Sequence, residues 1–468
     1  MNILFAAAEV APLIKTGGLA DVAAALPSAL RRLGHDVRIV MPGYRRILAD
    51  ATQVHGPIAT AFLPVGDRME VMRIFTTTLG DTPIYLLDIP AAFDRDTLFG
   101  DGDDDRRFIL FARGVAALML HLSERAGWRT DVVHANDWHT GLLPNYLKTV
   151  YAGAFSTVAV VFTIHNLAYQ GFFNSFTAYL AGLDNHGDSY VNFMARGIRY
   201  SDIVSTVSPT YAQEILTPEY GEQLDGLLRT RQDLVAGIIN GIDYDRFDPA
   251  LDPQIAANYS ATDSAGKAIC KAVLQRECGF AIDPARPLLG MVTRLVEQKG
   301  IDLLDRVIAW LIAQTDADLV LLGTGEPAME RAFAAHMRRN PTRINVQLRF
   351  DAALAQRIYA GSDAFVMPSR YEPCGLSQQI ALRYGAVPIV RATGGLNDTV
   401  REGYEGNGFL FHPYTPQHLA DAITRCLRCF RDTNGWPLLR ERGMREDHSW
   451  ATSAQEYAAL YEWAARVL

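Results

Sequence analysis

The pattern Thr-Gly-Gly-Leu-x-Asp occurs at Thr16 to Asp21 and again at Thr393 to Asp398, near the two ends of a 468-residue chain. Each copy stands between an apolar run and a helical pattern: Ile3 to Ala8 precedes the first, Val387 to Val390 the second. A glycine turn joining strand to helix is a βα junction of a parallel sheet, and ligands bind outside the carboxyl ends of such strands. Two such junctions so far apart point to two similar α/β domains, each offering a glycine turn to a shared cleft. Domains of about 200 residues are the ordinary way to divide a chain of this length.

The densest stretch is Ser369 to Val400. It follows the apolar strand Ala364 to Met367 and opens with Glu372, Pro373, Cys374 and Gly375 ahead of a helical pattern from Leu376 to Tyr384. Glu372 and the backbone N–H groups of Gly375, Leu376 and Ser377 then face a crevice, at a helix end that suits a phosphate. Thr393, Gly394 and Gly395 repeat the arrangement one strand later. Taken alone, the stretch also fits a capping glutamate and ordinary turns.

Composition narrows the class. The chain is 49% hydrophobic and 21% charged, as in a soluble globular protein, with no apolar run near the roughly 20 residues of a membrane span. Glu9 interrupts the first apolar run and no basic segment leads it, so it reads as a buried strand rather than a signal peptide. A net charge of −8 argues against a nucleic-acid binder. Five cysteines, an odd number, fit a reduced, cytoplasmic setting. Cys426 and Cys429 have half the spacing of a zinc site, but no second pair follows and the segment has helical period, so no metal is expected there.

Leu19 to Leu33 is helical and Val37 to Met41 a strand, giving βαβ. Gly56 to Ile89 alternates like edge strands. The acidic cluster Asp101, Asp103, Asp104 and Asp105 reads as a solvated loop or as a divalent-cation site. After a helix from Phe108 to Ala126, the strand Val132 to His134 delivers Asp137, Trp138 and His139; Asp137 is either a site carboxylate or the N-cap of the next helix. Val158 to Ile164 ends in His165, Tyr169 and Gly171, where a histidine at the carboxyl end of a buried strand favours function. Ile203 to Val207 and Val235 to Ile239 follow, the latter reaching Asn240. Asp248 to Pro253 is the best linker candidate.

In the second half, Leu288 to Thr293 runs into Arg294 and Lys299, two cations that fit a departing diphosphate or are ordinary surface basic residues. Leu319 to Leu322 ends at Gly323, in a turn that is phosphate-facing or merely tight. Ile344 to Phe350 continues the strand and helix alternation, and Ala451 to Val467 is an amphipathic helix.

These motifs resemble the bacterial glycogen synthase and starch synthase family along nearly the whole chain. The resemblance rests on KTGGLADV from Lys15, HANDWH from His134, FTIHNLAYQG from Phe162, TVSPTYAQEI from Thr206, NGID from Asn240, TRLVEQKG from Thr293, SRYEPCGL from Ser369 and TGGLNDTV from Thr393. It implies the GT-B fold, two Rossmann-like doubly wound domains facing a deep cleft, here residues 1–242 and 243–450, with 451–468 a final helix packing back on the first domain. It further implies retaining transfer of glucose from ADP-glucose to the non-reducing end of an α-1,4-glucan, without metal or other cofactor, in the cytoplasm, with no nucleic-acid or membrane partner and a homo-oligomer left open.

Carried over by position, the catalytic residues are Glu372, His165, Arg294, Lys299 and Asp137. Substrate-binding residues are Lys15, Gly17, Gly18, Asp21, Asn240, Tyr169, Gly323, Cys374, Gly375, Leu376, Ser377, Thr393, Gly394 and Gly395. Three features depart from the family pattern: Ser377 stands where threonine is usual, Ala195 where a lysine is frequent, and the acidic loop at Asp101 to Asp105 is shortened. A glucan phosphorylase would share the architecture but calls for a pyridoxal lysine; a sugar-binding module would use Trp138, Tyr169 and Tyr371 but leaves Arg294 and Lys299 unexplained.

Overall fold

The computed structural model describes residues 1–50, 53–185, 189–403 and 405–468. It divides into two compact units: Met1–Ile238 together with Trp450–Leu468, and Ile239–Ser449.

The first unit contains, in chain order, β1 (Asn2–Ala6), β2 (Asp36–Pro42), β3 (His55–Val65), β4 (Arg68–Leu79), β5 (Thr82–Asp88), β6 (Val132–Asn136), β7 (Ala159–Ile164), β8 (Phe172–Asn174), β9 (Tyr190–Asn192), β10 (Ile203–Thr206) and β11 (Val235–Gly237). All but β8 and β9 form one sheet, ordered β11-β10-β7-β6-β1-β2-β5-β4-β3. Its middle is parallel, and only β3, β4 and β5 pair antiparallel. β6 and β7 are buried at every position, as strands covered on both faces must be; β7 is apolar but for Thr163, while the buried His134 and Asn136 of β6 need polar partners. β3 and β4 leave one face in solvent and alternate accordingly. Along the parallel part the strand order reverses between β1 and β6, which puts the loops after these two strands at a topological switch point.

The final helix, Trp450–Val467, belongs to this unit. Its Tyr461 hydroxyl lies 2.8 Å from Nδ1 of His134 on β6, whose Nε2 is 2.5 Å from Thr163 Oγ1 on β7; that oxygen is in turn 2.5 Å from Ser205 Oγ on β10. One polar chain inside the apolar core thus pins helix to sheet, and burial holds the His134 ring well below its ordinary pKa.

The second unit carries β12 (Leu288–Val292), β13 (Asp318–Leu322), β14 (Ile344–Gln347), β15 (Ala364–Met367), β16 (Val387–Arg391) and β17 (Phe409–Phe411), all parallel, in the order β14-β13-β12-β15-β16-β17. This is the doubly wound order, and it reverses between β12 and β15.

Three sequence expectations change. The Pro-rich stretch from Asp248 to Pro253 is no linker: it lies inside the second unit, where Asp252 accepts a 2.6 Å bond from the Tyr384 hydroxyl and Asp248 pairs with Arg383 at 2.8 Å. The chain passes between units at Ile238 and Ile239 instead. The strand beginning at Ile344 stops at Gln347 and leaves Phe350 92% exposed, because Asp351 caps the next helix by accepting from Leu354 N–H. The acidic cluster is neither a free solvated loop nor an open ligand set: Asp101 and Asp103 pair with Arg95, and buried Asp104 pairs with Arg107 at the start of the helix Asp104–Ala126.

Tyr461→Phe leaves a buried imidazole nitrogen without its partner, a defect of about 1–3 kcal/mol. Urea unfolding of the full chain should show a correspondingly lower midpoint; an unchanged midpoint would mean the hydroxyl contributes nothing to holding the final helix.

Candidate active site

In the second unit the loops after β12 and β15 carry the charged residues. Lys299 ends a short 3-10 turn after β12, and its ammonium donates to both oxygens of Glu372 in the loop after β15, at 2.8 and 2.6 Å. Ser369 adds a hydroxyl at 3.0 Å. The Glu372 side chain is only 8% exposed, so without these donors it would be a buried charge lacking compensation. Arg294 is exposed, and its guanidinium makes only a long 3.5 Å approach to Gln298 among the described residues. The sequence had assigned Lys299 to a diphosphate and Glu372 to a sugar; the structure ties the two to each other.

The rest of the Glu372 loop is fixed by amides. Gln378 Nε2 donates to the carbonyls of Cys374 and Gly375, and Gln379 Nε2 to those of Asn240 and Gly375. The Asn240 N–H points at the Cys374 sulfur, while Asn240 Oδ1 is buried with no partner among the described residues. Cys374 is itself buried, and burial pushes its thiol up to about 12, which makes it an inert packing residue rather than a nucleophile. The Ser377 hydroxyl bonds Tyr359. The N–H groups of Gly375 and Leu376 donate to no partner among the described residues and remain available to an anion.

The other glycine turns behave differently. Gly394 follows Thr393 with φ +44, and a Cβ there would sit 1.9 Å from the Glu372 carbonyl oxygen, so the turn lies directly on the Glu372 backbone. The Gly395 N–H already donates to the carbonyls of Glu372 and Pro373. Gly323 N–H donates to the Gln347 carbonyl, and its turn is tight rather than phosphate-facing. The N–H groups of Gly395 and Gly323 are thus taken up by carbonyls of the protein itself.

In the first unit the loops after β1 and β6 meet at the switch point. Glu9, buried and overlooked as a site residue in the sequence, accepts from Thr16 N–H at 2.5 Å, Thr16 Oγ1 at 2.7 Å and Gly17 N–H at 3.2 Å. A resident carboxylate therefore occupies the turn that looked free for a ligand anion. Its sequence signal was a lone acid interrupting an apolar strand end. Lys15 pairs with Asp21 in the first turn of the helix Leu19–Arg32, at 2.6 Å and partly exposed. Gly18 has φ −71 and open space where a Cβ would stand, so neither backbone nor packing demands glycine there. Close approach by a bound molecule would.

Asp137 has φ +55 and makes no capping bond to the turn Trp138–Thr140; its Oδ1 accepts from His165 N–H at 2.8 Å, tying the loop after β6 to the loop after β7. The N-cap alternative is thereby excluded. Burial raises its carboxyl to about 7, against the opposing pull of the His165 and Asn166 N–H groups, and the nearby Glu9 charge adds to the rise. His165 is kept neutral by burial, with a pKa lowered to about 3. Its Nε2 lies 2.9 Å from Asn136 Oδ1, and Asn136 Nδ2 already donates to the carbonyls of Ala6 and His134. That network assigns the proton to Nε2 and leaves Nδ1 as an acceptor suited to a sugar hydroxyl.

The indole and imidazole beside Asp137 are not both site groups. His139 stacks on Trp138 at 4.0 Å and packs against Phe99 and Phe108, with its pKa lowered to about 3 by burial. Tyr169, by contrast, is 58% exposed.

A family model described as the starch synthase catalytic domain matches residues 2–230, and one described as glycosyl transferases group 1 matches residues 279–433. The chain is 44% identical to the glycogen synthase of Syntrophotalea carbinolica over 99% of each, and 46% identical to that of Anaeromyxobacter dehalogenans over 98% of each. Among solved structures, the catalytic domain of starch synthase IV from Arabidopsis thaliana bound to ADP and acarbose aligns with a TM-score of 0.89 at 35% identity, covering 99% of both chains. Sucrose-phosphate synthase from Thermosynechococcus elongatus, at 16% identity and a TM-score of 0.62, shares the fold.

A carboxyl held near 7 rather than its ordinary 3.8 stabilises the fold only while protonated: its contribution is complete below about pH 3.8 and gone above about 7. Asp137→Asn, a neutral mimic that tolerates positive φ, should therefore melt higher than the parent by a margin that widens from pH 5 to neutrality and then levels. A margin independent of pH would show that the N–H donors outweigh burial.

Proposed function

The chain belongs to the glycogen and starch synthase family of GT-B glucosyltransferases, and from that membership we propose that it transfers glucose from ADP-glucose, with retained configuration, to the non-reducing end of an α-1,4-glucan, releasing ADP. The observation that carries the reading is the Lys299 and Glu372 pair at the switch point of the second unit, beside the exposed Arg294 and the open N–H groups of Gly375 and Leu376. This combination suits a sugar diphosphate. Arg294 and the two N–H groups take the diphosphate, whose charge grows as the glycosidic bond breaks. Lys299 neutralises it from one side while holding the Glu372 carboxylate on the other.

Glu372 orients the glucose by its hydroxyls and stabilises positive charge at the anomeric carbon. A retaining glycosidase needs two carboxyl groups about 5 Å apart. Here the position eight residues beyond Glu372 is Ile380, so departure of ADP and attack on the same face, without a covalent glucosyl enzyme, is the reading we adopt. His165 accepts a hydroxyl proton of the donor sugar through Nδ1. Asp137, Lys15 and Tyr169 serve the acceptor. Because the chain supplies the counter-charges, the reaction runs without a divalent metal. A cytoplasmic setting agrees with five free cysteines and with no described helix long and apolar enough to cross a membrane.

The decisive assay follows ADP release from ADP-glucose and from UDP-glucose, with and without glycogen and with exhaustive chelation. Release from ADP-glucose that requires glycogen and survives chelation is expected; primer-independent release, preference for UDP-glucose, or loss restored by magnesium would each overturn the corresponding part.

Glu372→Gln should bind ADP-glucose yet turn over about 10²- to 10³-fold more slowly, the typical loss of one contact to developing charge, and azide should not restore it. A β-glucosyl azide product would identify Glu372 as a nucleophile.

A further inference from the structure

The second unit holds a cationic hollow at the amino ends of β12 and β15, whereas Lys299 and Glu372 follow the carboxyl ends of the same two strands. Asp363 fixes the place: it immediately precedes β15 and accepts from the N–H of Leu288, the first residue of β12, at 2.9 Å. The hollow has a volume of about 510 Å³, within the roughly 300–1,000 Å³ of small-ligand sites. Lys267 and Lys271 line it from the helix Ala265–Glu277, and Arg440 from the helix Gly435–Arg445. Phe430, Ile282 and Pro284 supply an apolar wall, with Ile282 52% exposed.

The charges in this hollow do not balance. Asp363, the one carboxylate among its lining residues, is taken by Lys271 at 2.8 Å. Lys271 is further held by the Pro284 carbonyl at 2.8 Å and lies 5.0 Å from the centroid of the Phe430 ring. Lys267, only 3% exposed, makes its hydrogen bonds to neutral groups, the carbonyls of Ala360 and Tyr384 at 3.0 and 2.8 Å. These carbonyls stand at the C-terminal ends of the helices Ala352–Gly361 and Ser377–Arg383, where a cation is favoured but not neutralised. Half-buried Arg440 has one hydrogen bond among the described residues, to the Ser264 hydroxyl at 2.9 Å. Burial, and after it the Arg440 charge, lowers the pKa of Lys267 to about 7. Two cations within the fold and no carboxylate for either is a costly arrangement, which an entering anion relieves. Donors are left to receive it, since Lys267 keeps a third N–H and Arg440 most of its guanidinium fork.

We propose that this hollow binds a small phosphorylated metabolite, with the phosphate on Lys267 and Arg440 and the organic part against Phe430 and Ile282. A planar fork beside a compact ammonium suits a phosphate, and the apolar wall selects an ester over the inorganic ion. The residues assigned to glucose transfer all lie elsewhere, so the site is additional to the donor cleft.

The test is titration calorimetry on the full chain, with ADP in excess to occupy the donor cleft and with phenyl phosphate, inorganic phosphate and phenol as probes. Phenyl phosphate should bind with a Kd of about 1 mM or tighter, inorganic phosphate more weakly, and phenol not at all. Arg440→Gln removes the unanswered guanidinium. Ala268→Glu sets a carboxylate on an exposed position of the lining and removes no cation. Each should weaken phenyl phosphate about tenfold or more, the scale of one charge-assisted hydrogen bond. Ala268→Glu should melt no lower than the parent, which separates its loss of binding from misfolding. Unchanged affinity in either variant overturns the site, and so does binding of phenyl phosphate that ADP abolishes. Phenol binding as tightly as its phosphate, or inorganic phosphate matching phenyl phosphate, overturns the assignment to a phosphate ester.

Discussion

A buried carboxylate must find a counter-charge inside the fold, and Glu372 finds it in Lys299. The pair joins the loops that follow β12 and β15, two strands whose register, Leu289 on Ala364 and Gly290 on Phe365, already sets them side by side. Everything near it serves to hold that loop. Gln378 and Gln379 tie down its carbonyls, Asn240 covers the Cys374 sulfur, and Gly394 lies on the Glu372 backbone where a side chain would collide. Removing either charge would strand the other, which is far costlier than losing a surface pair.

The first unit solves the same problem with backbone donors. Glu9 is neutralised by the turn from Thr16 to Gly17, and Asp137 by the N–H groups at His165 and Asn166. Asp137 lies where burial and the neighbouring Glu9 charge push its proton affinity toward neutrality, whereas the His165 imidazole is held neutral by burial alone. A near-neutral carboxyl beside a neutral imidazole with a free acceptor nitrogen makes a surface for hydroxyl groups, the chemistry that a sugar presents.

Both sites sit at the strand-order reversal of their sheets, between β1 and β6 and between β12 and β15. The helices that follow the two strands diverge to opposite faces there and leave a crevice at the strand ends. The β8 and β9 hairpin lies outside the main sheet, so its Phe172 and Tyr190 rings have no core to fill and remain open.

The sequence by itself determined the two α/β units, the strand ends, and the residue types there, because apolar runs and glycine turns are local signals written within ten or so residues. The edge strands were legible for the same reason, since β3 and β4 alternate with period two, but their antiparallel pairing was not. What it could not determine was who partners whom. Glu9 meeting Thr16, Asp137 meeting His165 rather than capping its own turn, Lys299 meeting Glu372 across 73 positions, and Asp252 meeting Tyr384 inside a stretch that looked like a linker all depend on how strands are ordered. Side-chain charge and hydrogen-bonding capacity are properties of a residue, but their satisfaction belongs to the neighbours that only the tertiary structure brings within 3 Å.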